Sequence, residues 1–129
     1  MAALKEKAVA LLSTTTAIDF QTDTAYTLYT VPTGKRCILD HAKVICGTAA
    51  STTAVFTIGK STALTDFLPS QTGTNLAAQY DVIICRPIPA TTPLKSKSYA
   101  AGDVIKLDIG TADADGSTDA IVMLFGTLY

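Results

Sequence analysis

From Ser13 onward the apolar residues alternate with polar ones or gather in short runs, which is the period of β-strands and not of helices. Threonine, valine and isoleucine dominate, and turn-forming residues recur at short spacing. The pattern predicts strands near 16–20, 25–31, 35–46, 53–59, 79–86, 94–99, 103–109 and 119–128. Alternation is cleanest at 103–109, where Ile105, Leu107 and Ile109 face inward and Lys106 and Asp108 outward. Phe56 and Ile58, then Tyr80, Val82 and Ile84, mark further inward faces. Val31-Pro-Thr-Gly34 is a tight turn, with Pro32 presetting φ and Gly34 accepting φ > 0. Residues 47–53 form a loop of small residues. Residues 60–78 are the longest irregular stretch, with room for a short helix over 63–67.

Two segments depart from simple alternation. Ala120-Ile-Val-Met-Leu-Phe-Gly-Thr-Leu-Tyr129 is almost continuously apolar, as a strand covered on both faces would be. Its cover is either the chain's own second sheet or another subunit. At the other end, Met1, Leu4, Ala8, Leu11 and Leu12 fall on one face of a helix over 1–12, with Lys5, Glu6 and Lys7 away from it. Twelve residues make a marginal helix alone, so this arm must dock on its own domain or on a neighbour. The organisation expected is an N-terminal helical arm (1–12) and one β domain (13–129). About eight strands in one domain predict an all-β, antiparallel β-sandwich of jelly-roll type, with a closed barrel as the alternative.

Composition sharpens the picture. Of 129 residues, 48% are hydrophobic and only 16% charged, against about 25% charged in an average protein. No apolar run approaches the ~20 residues of a membrane span. Excess apolarity without a span points to surface buried against partners, hence a homo-oligomer. Net charge is -1, and the densest basic cluster is Lys35-Arg36, too thin for a phosphate-binding surface, so no nucleic-acid partner is expected. Three cysteines, Cys37, Cys46 and Cys85, sit among apolar neighbours and read as buried free thiols, with one disulfide left open. The apolar stretch after Lys7 is too short for a signal-peptide core.

The candidate chemistry is weak at each point. Cys37, His41 and Cys46 invite a metal reading. On one extended strand, Cys37 and His41 share a face opposite Cys46, and Cys37 and His41 lie about 13 Å apart. A bulge near Asp40 would alter the parity but not that span, so no metal is expected. His41 is the only histidine, and no nucleophile motif surrounds any serine, so no catalytic residues are assigned and no enzyme is expected. Ile58-Gly59-Lys60-Ser61 looks like the end of a phosphate loop, but position 54 is alanine where that motif needs glycine. Asp113-Ala-Asp115-Gly-Ser-Thr-Asp119 lacks the calcium-loop spacing and reads as a hairpin turn between the last two strands. No cofactor is implied.

Tyr29-Thr-Val-Pro-Thr-Gly-Lys-Arg-Cys-Ile-Leu39 resembles a pattern in small virion proteins of tailed bacteriophages, where a strand ends in a Val-Pro-x-Gly-Lys turn and a long strand follows. Gly102-Asp103-Val-Ile105 and Met123-Leu-Phe-Gly-Thr-Leu-Tyr129 are similar to that group as well. The resemblance implies a structural virion protein, above all a capsid decoration (cement) protein, commonly trimeric, bound to the major capsid protein or other virion subunits. It implies a location in the virion after synthesis in the host bacterial cytoplasm, and it brings no catalytic residues. Leu4, Leu11, Leu12, Phe67 and Leu68 are the expected interface residues. Two alternatives are a phage tail or fibre component and a glycan-binding β-sandwich module. Absence of tryptophan lowers the glycan reading, and a single histidine argues against a cupin-like barrel enzyme.

Overall fold

The computed structural model describes residues 9–88, 93 and 96–129. Nine strands are present among them: β1 (Ala10–Ile18), β2 (Ala25–Thr30), β3 (Cys37–Ile45), β4 (Val55–Lys60), β5 (Ala63–Thr72), β6 (Val82–Cys85), β7 (Ser98–Tyr99), β8 (Val104–Thr111) and β9 (Ala120–Leu128). They form two antiparallel sheets. One has the order β1-β9-β3-β6, with β7 also on β3; the other has the order β2-β8-β4-β5. The pairs nest: β1 with β9, β2 with β8, β3 with β6 and β7, β4 with β5. The chain is thus one long hairpin, folded back on itself and rolled so that alternate pairs share a sheet. This is the jelly-roll topology the strand count predicted.

The core lies between the sheets. Ile105, Leu107 and Ile109 enter it from β8, Phe56 and Ile58 from β4, and Val122 and Leu124 from β9, all nearly or fully buried. Phe20 closes one end, its ring 6.0 Å from that of Phe56. The Pro32–Gly34 turn forms as expected, with Gly34 at φ +77°, a conformation that favours glycine.

Several expectations need correction. The helix expected over 1–12 falls mostly on residues 1–8, outside the described residues. Its last turn is strand instead: Ala10 and Leu11 pair with Gly126 and Phe125 of β9. Residues 63–72 are not irregular or helical but form β5, joined to β4 by Ser61-Thr62. Pro69 disguises that strand, and it is tolerated because β5 is a sheet edge. Tyr80, Val82 and Ile84 point outward, at 75%, 50% and 58% exposure; Ile83 and Cys85 face the core instead. Asp113–Asp119 is not a hairpin within a sheet. It carries the chain from β8 in one sheet to β9 in the other. Its carboxylates clip that crossover to the loop at 47–53. Asp119 accepts from the Thr48 amide (2.9 Å) and the Ser117 hydroxyl (2.7 Å), and Asp113 accepts from the Thr53 amide (3.2 Å). A Cβ on Gly47 would stand 2.0 Å from the Asp119 carboxylate, so this clip demands glycine there.

Candidate interaction face

The two sheets differ on their outer surfaces. On the β2-β8-β4-β5 sheet, Thr27 pairs with Lys106, and both Ala25 and Thr57 pair with Asp108, so the outward rows are small or polar. The outward rows of the β1-β9-β3-β6 sheet are mostly apolar. Leu11, Phe125 and His41 form one row; Thr14, Met123, Lys43 and Ile84 the next; Ile121, Ile45 and Val82 the third. Side chains directly opposite on antiparallel strands lie on the same face, which fixes these rows. Leu11, Val82 and Ile84 are about half exposed, while Phe125, Met123, Ile121 and Ile45 are half-buried by one another. The continuous apolar character of β9 therefore has two causes: Ala120, Val122 and Leu124 fill the core, and Ile121, Met123 and Phe125 floor this outer face.

A β-bulge sets the face's centre. Register shifts between Leu39 and His41, so Asp40 is the extra residue of β3. Cys37, Leu39, Ala42, Val44 and Cys46 are all core, and His41 turns outward, where its ring stacks on Phe125 at 4.5 Å and 6°. The regular-strand parity expected for this segment is corrected accordingly: the two cysteines share a face and His41 is opposite. The Asp40 carboxylate holds the His41 Nδ1 at 2.5 Å. Lys43 lays its ammonium 5.3 Å from the centre of the Phe125 ring, a cation–π contact that settles a charge on an otherwise apolar floor.

The remaining candidates resolve into structural roles. Burial pushes the thiols of Cys37 and Cys85 up to about 11 and raises that of Cys46, so all three stay protonated at neutral pH; all three are free. Gly59 and Lys60 end β4 in a hairpin, not a phosphate loop. A Cβ on Gly59 would meet the Ala63 carbonyl at 2.4 Å. Asp66 accepts from the Tyr99 hydroxyl (2.8 Å) and the Lys60 amide (3.0 Å), tying the two sheets together. Burial and then the Asp66 hydrogen bond raise the Tyr99 phenol. A cavity of about 220 Å³ lies beside this tie, between Leu39, Phe67, Pro87 and Lys97. Of the expected interface residues, Leu11 is on the outer face, and Leu12 is half-buried against the core. Phe67 and Leu68 are buried inside the subunit. Leu4 lies outside the described residues. The outer-face rows of β3, β6 and β9 were missed from sequence, although the unbroken apolar run of β9 was their signal.

No family model matches this chain, and no curated protein matches it. Solved structures do. A chain of the acid-stable capsid structure of Helicobacter pylori bacteriophage KHP30 superposes with a TM-score of 0.57 at 15% identity, covering 96% of this chain and 88% of that one. A chain of the cyanophage Pam1 capsid asymmetric unit gives a TM-score of 0.55 at 12% identity, covering 92% of this chain and 84% of that one. At these identities the likeness is one of fold, and it extends over nearly the whole of this jelly roll.

Proposed function

We propose that this chain is a structural protein of a tailed-phage particle that serves as capsid decoration, binding across capsid subunits and stabilising the head. The observation that carries the reading is the apolar outer face of the β1-β9-β3-β6 sheet, on a jelly roll whose structural neighbours sit in phage capsids. A contiguous apolar sheet face on a small domain marks an interaction surface. Stable protein–protein contacts bury roughly 800 Å² per partner. Binding that selects the assembled capsid raises its stability by mass action. The work is non-enzymatic: it is done by area and shape. Copies of the chain also associate with one another, and the sequence resemblance favours a trimer.

Imaging of purified virions with mass spectrometry of separated heads and tails tests the reading. Decoration requires the protein on the outer head surface in copy numbers that follow the capsid lattice. Recovery in the tail fraction alone would replace it with the tail or fibre reading, and absence from particles would reject both.

A further inference from the structure

Tyr80, Val82, Ile84 and Ile88, each at least half exposed, gather on and beside β6 at one sheet edge. We infer that β6 of one copy pairs antiparallel with β6 of a second copy, across a two-fold axis at Ile83. The pairing joins the two β1-β9-β3-β6 sheets, and their apolar outer faces, into one. The inference rests on the self-association proposed above and says which edge makes it and in what register. A two-fold seam builds pairs, so the isolated protein is a dimer.

Three observations carry it. The first is the state of the edge. Four strands end the two sheets: β1 and β6 in one, β2 and β5 in the other. Edge strands ordinarily resist pairing through bulges, prolines or charges. Strands β1 and β2 carry bulges, and β5 carries Pro69 as well as shifts in register. Strand β6 has none of these: Val82-Ile-Ile-Cys85 is uncharged and pairs with β3 without a shift. The second observation is the direction of its backbone. The Cys46 amide donates to the Asp81 carbonyl at 2.8 Å, in line with the β3–β6 register. Hydrogen-bonded pairs alternate along an antiparallel ladder. Ile83 and Cys85 therefore direct their amides and carbonyls to β3, and Val82 and Ile84 direct theirs away from it. No strand or hydrogen bond meets these groups among the described residues. The third is that the edge complements itself. With Ile83 opposite Ile83, Val82 of each copy faces Ile84 of the other. Their outward amides and carbonyls then bond reciprocally, and their side chains lie together on the outer face. Charge agrees: Asp81 precedes the strand and Arg86 follows it, so antiparallel pairing sets the acidic end of one copy against the basic end of the other. Arg86 is exposed and in no ion pair among the described residues.

Ile84→Pro in the full-length protein tests the seam. The amide it removes faces the open edge, where proline is tolerated, so the subunit should keep the wild-type circular dichroism spectrum. Sedimentation velocity should show the wild type as a dimer at micromolar concentration and the variant with a dissociation constant raised at least roughly tenfold. Disulfide trapping decides the case even where proline perturbs the fold. Residues opposite in a hydrogen-bonded pair have Cα atoms about 5.5 Å apart, within reach of a disulfide. An equimolar mixture of Val82→Cys and Ile84→Cys chains, oxidised and then blocked with a thiol reagent, should run as a linked pair on a non-reducing gel, and Val82→Cys alone should not. Association that survives in a folded Ile84→Pro chain, a trimeric wild type, or a mixture that links no better than Val82→Cys alone overturns the seam and leaves self-association standing. A monomeric wild type overturns both. These measurements use the isolated protein, so they stand apart from the particle test of the virion reading.

Discussion

Replacing Val82 and Ile84 by threonine tests whether the outer face is covered in the assembly. Both residues sit on β6, and threonine keeps the β-branch that suits a strand. In the subunit their outward halves meet water, at 50% and 58% exposure. The double variant should therefore cost the subunit no more than about 1 kcal/mol, since surface substitutions fall within about 0.5 kcal/mol each. For a chain of this size that is a melting-point drop of roughly 3–6 °C. Association should suffer more. Fully burying such a side chain is worth about 1.5–3 kcal/mol, and about half of that is still to be gained at each site when a partner covers it. Each threonine forfeits part of that gain and adds a hydroxyl that is costly to bury without a partner. Together the two changes should remove about 2 kcal/mol, or roughly 30-fold in the dissociation constant. Sedimentation velocity over a concentration series reads the second effect, and thermal unfolding followed by circular dichroism reads the first. Unchanged self-association would refute the covered face. A melting-point drop beyond about 10 °C would show that the two side chains serve the core after all.

Four further outcomes follow from the geometry. Leu107→Ala empties a fully buried site and should lower unfolding free energy by about 2–5 kcal/mol, read by urea denaturation. Asp113, Asp119 and Asp103 are held below the ordinary aspartate range, first by the Thr53 amide, the Ser117 hydroxyl and the Ala100 amide respectively. The unfolded chain binds these protons more readily, so their stabilisation is complete above about pH 3.9 and drains away as pH falls below it; an acid titration of melting temperature should show the loss, and Asp119→Asn should flatten part of it. Cys37 and Cys85, buried with thiols near 11, should resist a thiol reagent at pH 8 until urea unfolds the chain. Ala17 sits at φ +56° beside a register shift in β1, so Ala17→Gly should raise stability by up to about 1 kcal/mol, relieved strain exceeding the added chain entropy; a lower melting point would contradict this.

Where one face of a strand is apolar and the other polar, the pattern was readable. Ile105, Leu107 and Ile109 are core as the alternation of β8 predicted, and Pro32 with Gly34 marked their turn. Where both faces are apolar, alternation carries no phase. Val82-Ile-Ile-Cys85 offers nothing to say which set points inward, and the set read as inward is the exposed one. The Asp40 bulge shifts β3 by one residue, so a parity argument that holds for a regular strand fails across it. Strand β5 was hidden by Pro69 and by the polar residues an edge permits. The interaction face depends on β1, β9, β3 and β6 lying side by side, which no local pattern encodes; only the unbroken apolar run of β9 hinted that its second surface mattered.

The nested hairpin has a consequence for how the protein is made. β9 is a central strand, flanked by β1 and β3, although it comes last of the nine. While it remains in the ribosome, β1 has no hydrogen-bonding partner and β3 lacks one neighbour. Only the β4–β5 hairpin can close early, because every other pair joins more distant parts of the chain. Topologies dominated by distant pairing fold in milliseconds to seconds. Through that interval the apolar rows of the sheet are open on both surfaces among other nascent copies. Synthesis therefore leaves an aggregation-prone intermediate whose lifetime ends with the docking of β9, and chaperone demand during expression should track the time that strand takes to emerge.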